Sequence, residues 1–395
     1  MPCWDCIHWF KNRMAVLPDF RLEAYLAHWE FAARYHMTAS DAESISLAEL
    51  LKLAEPSDRK AFEQLWLGYL PPAGSEALRD AIASTYTTVS SDNVLAFAGG
   101  GEAIYTALHA LLQPDDHAIV ITPTYQSLET IALSLSKITG IALDADSGWK
   151  LDLNEVRDAV RSNTKLIAIN FPNNPTGKVL SLAEFDLLVE ICREHGLWLL
   201  SDEVYRLSER PPSLTLPAAV DRYERGLSLS VVSKVYGLPG LRIGWIASRD
   251  RDLLQRMERI KHYLSICNAS PSEALAVVAL KAGARLLDRN RALIEANLKC
   301  VEKFFAEFPD LFEWNDPDGG MVAYPRYKGT DGVEKFTQRL IEEANVLLLP
   351  ASIFQSEVTS LPQDRFRIGY GRSYVPAGLE VMRDWLAMQK LHYDK

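Results

Sequence analysis

Residues 165–205, KLIAINFPNNPTGKVLSLAEFDLLVEICREHGLWLLSDEVY, contain the alternation that decides the fold. A short apolar run at each end (KLIAIN and LWLLSD) flanks a helical stretch, and each run passes into a polar segment. Short apolar strands that alternate with helices predict a mostly parallel sheet covered by helices on both faces. In such a sheet, ligands bind beyond the carboxyl ends of the strands.

The same pattern continues on both sides of this stretch. HAIVIT (residues 117–122) leads into Pro123-Thr124-Tyr125, and LSLSVVS (residues 227–233) leads to Lys234. Four predicted strands therefore direct a tyrosine, an asparagine, an aspartate and a lysine toward one edge of the sheet. We predict an α/β fold whose large domain has three layers, α/β/α, with a site at that edge.

The chain length of 395 residues predicts two domains. After the large domain, the alternation gives way to a long polar helix (289–308), a glycine-rich segment and short strands. Near the N-terminus, residues 20–35 and 46–53 have apolar side chains at helical spacing. The predicted division is an N-terminal arm with part of the small domain at 1–65, the large domain at 66–285, and the smaller α+β domain at 286–395.

The composition excludes several classes of partner. A formal net charge of −10 argues against a broad nucleic-acid surface, which needs clustered Lys and Arg. Charged residues interrupt the first twenty positions, and no later stretch has eighteen uninterrupted apolar residues, so neither a signal peptide nor a membrane span is predicted. We expect a cytoplasmic protein.

The five cysteines do not form a disulfide framework, because their number is odd and they are spread along the chain. We expect reduced thiols. Cys3 and Cys6 form a C-x-x-C with His8 nearby, but no second pair of ligands follows, so no metal site is predicted.

Lys234 and Asp202 are the first candidates for chemistry. A lysine at a strand end with apolar neighbours can have the lowered pKa that an amine nucleophile needs, although taken alone it is more often a solvated surface residue. A carboxylate buried at a neighbouring strand end requires a cation or a protonated ring nitrogen as its partner. The alternative for Asp202 is an N-cap of the following helix.

Gly99-Gly100-Gly101 precedes a helical stretch, so free backbone amides at the helix start predict a phosphate site. Arg242 adds a guanidinium suited to two-pronged phosphate contact. The alternatives are a flexible turn for the glycines and a surface salt bridge for the arginine.

From about Tyr69 to Arg367 the sequence resembles the class I and II aminotransferases of pyridoxal-phosphate fold type I. The separations match the family pattern: 28 residues from Asn174 to Asp202, 32 from there to Lys234, and 8 more to Arg242. The most specific motifs are Asn174-Pro175-Thr176-Gly177, Ser201-Asp202-Glu203-Val204-Tyr205, and Ser233-Lys234 with Gly240-Leu241-Arg242-Ile243-Gly244.

The resemblance implies pyridoxal 5′-phosphate as the cofactor, held by Lys234 as a Schiff base, with Lys234 also moving the substrate α-proton. It implies that Asp202 contacts the pyridine nitrogen, that Asn174 and Tyr205 donate to the ring oxygen, and that Tyr125 stacks on the ring. The residues implied for the phosphate are Gly100, Gly101 and Arg242, and Ser233, next to Lys234, is a further candidate for cofactor binding.

Two further roles follow from the resemblance. Tyr69 matches a tyrosine that crosses a dimer interface to the partner's phosphate, which implies a homodimer. Arg367 matches the arginine that grips the substrate α-carboxylate in a bidentate pair, with Asn174 beside the substrate. Arg365 and Arg372 are close enough to leave the register open.

Two departures leave the reaction open. Val231 occupies the position where many relatives have a phosphate-contacting hydroxyl, with Ser230 and Ser233 as possible substitutes, and residues 38–44 replace the familiar glycine-proline substrate loop. We predict transamination between an L-amino acid and a 2-keto acid. The alternatives are an oxidase, a cyclising synthase or an elimination lyase with the same cofactor, and a binding or regulatory protein that has lost catalysis.

Overall fold

The computed structural model describes residues 17–393. Its centre is a seven-stranded sheet in the order β1-β7-β6-β5-β4-β2-β3. Strands β2 to β6 are parallel to their neighbours within that group, whereas β7 is antiparallel to both β1 and β6. The strands are β1 Val94–Phe97, β2 His117–Thr122, β3 Lys137–Ala142, β4 Thr164–Asn170, β5 Trp198–Asp202, β6 Gly226–Val231 and β7 Gly244–Ser248.

The central strands are mainly apolar because helices cover both faces of the sheet. Successive side chains of β2 enter different hydrophobic clusters, with Ala118 and Val120 in one and Ile119 and Ile121 in the other. This alternation is the pleat of a strand buried on two sides. The predicted mostly parallel α/β sheet is confirmed.

Fourteen helices are described within residues 17–393, apart from short 3-10 turns. The first eleven are α1 Arg21–Trp29, α2 Leu47–Lys52, α3 Pro56–Glu63, α4 Glu76–Ala83, α5 Gly100–Leu111, α6 Gln126–Leu135, α7 Leu153–Asp158, α8 Leu182–His195, α9 Ala219–Arg222, α10 Arg251–Lys261 and α11 Ser270–Lys281. The remaining helices are α12 Gly283–Ala306, α13 Val333–Ala344 and α14 Val375–Tyr393.

The C-terminal part contains small antiparallel sheets against α12, α13 and α14. One sheet has the order β11-β12-β9 and the other pairs β10 with β8. Helix α12 begins at Gly283, before the predicted start of the long helix at residue 289, so the predicted boundary at 285/286 falls in its first turn. The strands are β8 Phe312–Glu313, β9 Val322–Ala323, β10 Arg326–Tyr327, β11 Leu349–Pro350 and β12 Phe366–Gly369.

The helix predicted over residues 20–35 is too long. Helix α1 ends at Trp29, and the chain then turns so that the N–H of Tyr35 donates to the carbonyl of Asn345 at 3.0 Å. A tertiary contact replaces the helical hydrogen bond there. The predicted helix at residues 46–53 corresponds to α2, which Ser46 and Glu49 begin with a reciprocal capping box.

The sequence predicts no membrane span, no metal site and no disulfide framework, and the structure bears on these predictions only over residues 17–393. None of the helices in this range is both long enough and apolar enough to cross a bilayer. Over the same residues no group of three or more His, Cys, Asp and Glu side chains is arranged to hold a metal ion. Cys192, Cys267 and Cys300 are free thiols, whereas Cys3 and Cys6 lie outside the described residues.

Candidate active site

A cavity of about 380 Å³ opens at the carboxyl ends of β4, β5 and β6. Helix α1 and the segment 36–41 form its opposite wall. Of the predicted site residues, all but Tyr69 line it. They are Gly100, Gly101, Tyr125, Asn174, Asp202, Tyr205, Ser233, Lys234, Arg242 and Arg367.

Asn170 organises the ends of the two central strands. It is the last residue of β4, and its amide Nδ2 donates to the carbonyl of Asp202 at 3.1 Å. Its Oδ1 accepts from the backbone N–H of Asn174 at 2.8 Å, which fixes the turn that carries Asn174. The prediction missed Asn170, although its position as the polar end of the KLIAIN run was a usable signal.

Asp202 is the last residue of β5 and is 3% exposed. The backbone N–H of Val204 donates to its Oδ1 at 3.2 Å, and no helix begins directly after it, so the N-cap alternative is wrong. Burial raises the pKa of Asp202 to about 7, against smaller lowering effects of that hydrogen bond and of the Lys234 charge. Within residues 17–393 its carboxylate has no ion-pair partner.

Lys234 follows β6 and faces the cavity. Its Nζ donates to the hydroxyl of Ser40 at 2.9 Å and lies 5.9 Å from the ring centroid of Tyr205. The Lys234 carbonyl accepts from the backbone N–H of Ala42 at 3.1 Å, so two separate contacts join Lys234 to the N-terminal segment. Lys234 is therefore a cavity residue and not a solvated surface lysine.

Two buried polar atoms in this cavity have no hydrogen-bond partner among the described residues: the Tyr205 hydroxyl and the Arg367 Nε. Both side chains are 1% exposed. The other Arg367 nitrogens donate to Asn174 Oδ1 at 2.9 Å and to the Thr38 carbonyl at 2.7 Å. Because buried polar groups in proteins are normally paired, these two atoms point to a bound ligand.

The arginine register is clear in the structure. Arg367 on β12 lines the cavity, whereas Arg365 stacks on Trp149 with 5.4 Å from its Cζ to the ring centroid. Arg372 forms an ion pair with Asp41, with an N–O distance of 2.6 Å.

The start of α5 forms a cradle next to Arg242. Gly100 and Gly101 are its first two residues, so their amides have no partner within the helix. Gly99 has φ of +98°, and a Cβ there would come within 2.5 Å of Arg242 Nη2, so the guanidinium lies directly against the glycine backbone. Around Gly101 the space is open to 4 Å. This is a site for an anion.

The sheet pleat separates the serines near Lys234. Val231 lines the cavity, and Ser230, one residue earlier, faces a small pocket on the other side of the strand. Ser233 lines the cavity beyond the strand end. Ser233, and not Ser230, is therefore the hydroxyl that faces the cavity.

The two predicted tyrosines outside the strand ends differ. Tyr125 precedes α6 at the cavity, where its hydroxyl donates to Glu23 at 3.3 Å and its ring lies 5.1 Å from that of Phe20. Burial raises the pKa of Tyr125. Tyr69 is 84% exposed and does not line the cavity of its own chain.

The N-terminal wall contains polar residues that the prediction missed. The loop is held against β12, where the N–H of Gly369 donates to the Met37 carbonyl at 2.7 Å and a Cβ on Gly369 would meet the Ala39 carbonyl oxygen at 2.1 Å. Burial and the Arg367 charge lower the pKa of His36 to about 4. Glu23, Glu30 and His36 line the cavity and were missed. Thr38, Ser40 and Asp41 also line it and belong to the segment 38–44, which the sequence singled out without assigning a role to any side chain.

The sequence model of the family described as aminotransferase class I and II matches residues 41–374. The chain belongs to this family. Capreomycidine synthase from Streptomyces vinaceus is 29% identical over 378 residues, which are 94% of this chain and 94% of that protein. The resemblance predicted from the motifs is confirmed.

Two solved structures have the same fold as this aminotransferase family member. A PLP-dependent aminotransferase from Streptococcus suis superposes with a TM-score of 0.88 at 31% identity, over 94% of this chain and 98% of that chain. The PLP-dependent cyclase OrfR superposes with a TM-score of 0.85 at 24% identity, over 94% and 98%. The second likeness bears on the fold alone.

The family uses pyridoxal 5′-phosphate, and the cavity residues fit this cofactor. Asp202 is a buried carboxylate without an ion-pair partner among residues 17–393, which suits a protonated ring nitrogen. The amides of Gly100 and Gly101 beside Arg242 suit a phosphate, and the unpaired Tyr205 hydroxyl can donate to a ring oxygen. Lys234 supplies the amine.

Proposed function

We propose that the protein transfers the amino group between an L-amino acid and a 2-keto acid. The observation that carries this proposal is the arrangement of one amine, Lys234, and one buried carboxylate without a cation, Asp202, in the cavity that Arg367 also lines. An amine for proton transfer, an anion for the cofactor ring and a guanidinium for the substrate carboxylate are the parts that transamination needs.

When bound, pyridoxal phosphate accepts electrons from the substrate α-carbon into its ring. Asp202 would keep the ring nitrogen protonated, because the buried carboxylate gains an ion pair in addition to a hydrogen bond only when that nitrogen carries a proton. Asn174 and Tyr205 donate to the ring oxygen, and Tyr125 stacks on the ring face. Gly100, Gly101, Ser233 and Arg242 bind the phosphate, while Val231 leaves one wall of that cradle apolar.

Lys234 performs the proton transfer. Its Nζ removes the proton from the substrate α-carbon and, with the cofactor bound, would return it to the cofactor carbon bonded to the amino nitrogen, which is general acid–base catalysis by one group. Ser40, which accepts from Nζ at 2.9 Å, keeps the freed amine close to the reacting atoms. Limiting the amine to this position preserves the entropic advantage of a positioned base.

Arg367 orients the substrate through its carboxylate. Its guanidinium is held on two sides by Asn174 and Thr38, and its Nε is left for a carboxylate oxygen. Burial lowers the pKa of Arg367, yet a guanidinium remains charged at neutral pH. A substrate anion would therefore meet a cation that has already been positioned.

We also propose a homodimer in which Tyr69 reaches the partner's phosphate. Large apolar side chains near Tyr69 are exposed in the single chain: Trp66 is 77% and Leu67 is 78% exposed. Tyr263 is 91% exposed. Exposed aromatic side chains are typical of protein interfaces. Sedimentation of the holoenzyme tests the homodimer. Faster loss of the cofactor from Tyr69→Phe tests the contact with the partner's phosphate.

The test is product analysis with individual amino acids. The holoenzyme is incubated with one amino acid at a time, without a keto acid, while the cofactor spectrum and products are recorded. Transamination predicts one keto acid per active site and a stable pyridoxamine form that a second keto acid reverses. Ammonia, peroxide or a cyclic product without that stable form would contradict it.

A cyclisation, which the sequence left open, is the second candidate, because the chain is 29% identical to a protein named as a synthase, capreomycidine synthase, over 94% of both chains. The catalytic residues would be the same, and the substrate would supply an internal nucleophile. The same incubation distinguishes the two, because cyclisation consumes substrate over many turnovers without a keto acid and returns the cofactor to its starting spectrum.

A further inference from the structure

Three carboxylates face the same cavity from its N-terminal wall. Glu23 lies on α1, Glu30 directly follows it, and Asp41 lies on the loop after it. Lys234 lines the cavity from the opposite side, at the strand ends. The wall is thus acidic where it faces the amine that handles the substrate.

The three carboxylates are only partly neutralised within residues 17–393. Asp41 has an ion pair with Arg372, and Glu23 accepts one hydrogen bond from Tyr125. The side chain of Glu30 has no hydrogen bond or ion pair among these residues. Burial, followed by the charges of Glu23 and Asp41, raises the pKa of Glu30, with Arg372 opposing, so the carboxylates act on one another.

The cations that line the cavity have other partners under the proposed function, on which this inference rests. Arg242 faces the phosphate cradle, Arg367 faces the substrate carboxylate, and Lys234 belongs to the cofactor. His36 also lines the wall, but its pKa of about 4 keeps it neutral at neutral pH. The wall therefore retains negative charge after the cofactor and the substrate backbone are bound.

An independent observation indicates that a ligand belongs in this cavity. Tyr205 and Arg367 line it, and the Tyr205 hydroxyl and the Arg367 Nε are buried without a hydrogen-bond partner among residues 17–393. A substrate anchored at Arg367 would extend its side chain toward a wall. An acidic side chain at the carboxylate-lined wall would be repelled, whereas a guanidinium or ammonium would gain charge-assisted hydrogen bonds.

We propose that the amino donor carries a cationic side chain, a guanidinium or an ammonium, which Glu23 and Glu30 bind. Asp41 contributes less, because Arg372 already neutralises it. A guanidinium suits two separate carboxylates particularly well, because its five donors spread over a planar fork.

Binding to the holoenzyme tests this directly. The cofactor absorbance is titrated with L-arginine, L-citrulline, L-norleucine and L-glutamate at one ionic strength. Citrulline is the neutral analogue of arginine with nearly the same shape. We expect arginine to bind at least about tenfold more tightly than citrulline, and glutamate to bind most weakly.

Variants then locate the contact. Glu30→Gln and Glu23→Gln should each lower the preference for arginine over citrulline several-fold, and the double variant should nearly abolish it. Glu295→Gln is the matched control, because Glu295 is 63% exposed at its side chain and pairs with Lys299 outside the cavity. The cofactor absorbance of each variant verifies that it has folded and loaded.

The binding measurement tests the cationic substrate, and the product measurement tests transamination, so either proposal can be contradicted without the other. Arginine that binds with preference but gives no keto acid would contradict transamination and leave the cationic substrate supported. Keto acid from norleucine or glutamate, with no preference for arginine, would overturn this inference and leave transamination supported. A preference that survives the double variant, or a loaded enzyme that binds none of the four amino acids, would also overturn it.

Discussion

The two sides of the cavity are built differently. The floor consists of Asp202, Asn174 and Lys234 at or just after neighbouring strand ends, where Asn170 links two of these segments by hydrogen bonds. The wall consists of α1 and residues 36–41, which lie more than 100 residues earlier in the chain than the strands they face. Within it, Met37 and Ala39 are held against β12. The sheet itself supports the floor, and tertiary docking alone supports the wall.

This difference separates the expected effects of mutation. Changes in the floor should impair every substrate, because they affect the cofactor and the proton transfer. The effects of changes in the wall should differ between substrates, because the wall faces the substrate side chain, which the cofactor does not contact. A floor variant that discriminates between amino acids, or a wall variant that affects all of them equally, would break the comparison.

Lys234→Ala has the largest expected effect. Removing the amine should lower kcat/KM for every amino acid by roughly 10⁴-fold, because it removes both the covalent link and the acid–base group. Steady-state kinetics and the cofactor spectrum measure this. Lys299→Ala, a change at an exposed lysine paired with Glu295, is the control. A Schiff-base absorbance band that persists in Lys234→Ala would contradict the assignment.

Asp202→Asn should lower kcat for all substrates by roughly 10²-fold or more, with little change in their order, because the amide is neutral and cannot keep the ring nitrogen charged. Single-turnover rates with two amino acids measure it. Equal activity of the variant and the parent protein would remove Asp202 from the mechanism.

Asp202 also sets a pH dependence of stability in the cofactor-free protein. Because burial raises its pKa to about 7, the folded chain keeps a proton that the unfolded chain releases above about pH 4. The contribution of Asp202 to the free energy of unfolding is thus fully favourable below pH 4, falls as the pH rises from 4 to 7, and stays low above pH 7.

Denaturant unfolding at pH 5 and pH 8 measures this dependence. Between pH 5 and pH 8, the Asp202 contribution to the free energy of unfolding of the parent protein should fall by roughly 3 kcal/mol, and Asp202→Asn should not show this decrease. Glu203, whose pKa burial also raises to about 7, is present in both proteins and cancels in the comparison. Parallel pH profiles of the two proteins would contradict a buried, uncompensated Asp202.

Arg367→Lys examines the junction between floor and wall. Lysine keeps the positive charge but lacks the planar guanidinium fork. The two nitrogens that donate to Asn174 and to the Thr38 carbonyl are therefore lost. We expect KM to rise by roughly 10- to 100-fold for all amino acids, with a smaller change in kcat. A variant whose KM is unchanged would show that Arg367 does not bind the carboxylate.

The floor was predictable because topology leaves few choices there. A polar residue that ends a buried parallel strand must face the carboxyl edge, so Asp202 and Lys234 could be assigned together from local sequence. The wall residues have no such constraint. Glu30 and Ser40 belong to a segment whose helix stops early because Tyr35 pairs with Asn345, and helical periodicity contains no trace of that contact.

Ser40→Ala has the smallest expected effect and tests the hydrogen bond between the Lys234 amine in the floor and the Ser40 hydroxyl in the wall. The variant removes the acceptor 2.9 Å from Lys234 Nζ, while the Ala42 contact with the Lys234 carbonyl remains and keeps the loop in place. We expect kcat to fall about three- to tenfold, which corresponds to about 1 kcal/mol for one hydrogen bond, with little change in KM. The pH profile of kcat should shift, because Ser40 contacts the amine that transfers the proton, and Ser40→Thr should restore much of the rate. A loss of kcat with an unchanged pH profile and no rescue by threonine would mean that Ser40 only supports the loop, and the floor would then operate independently of the wall.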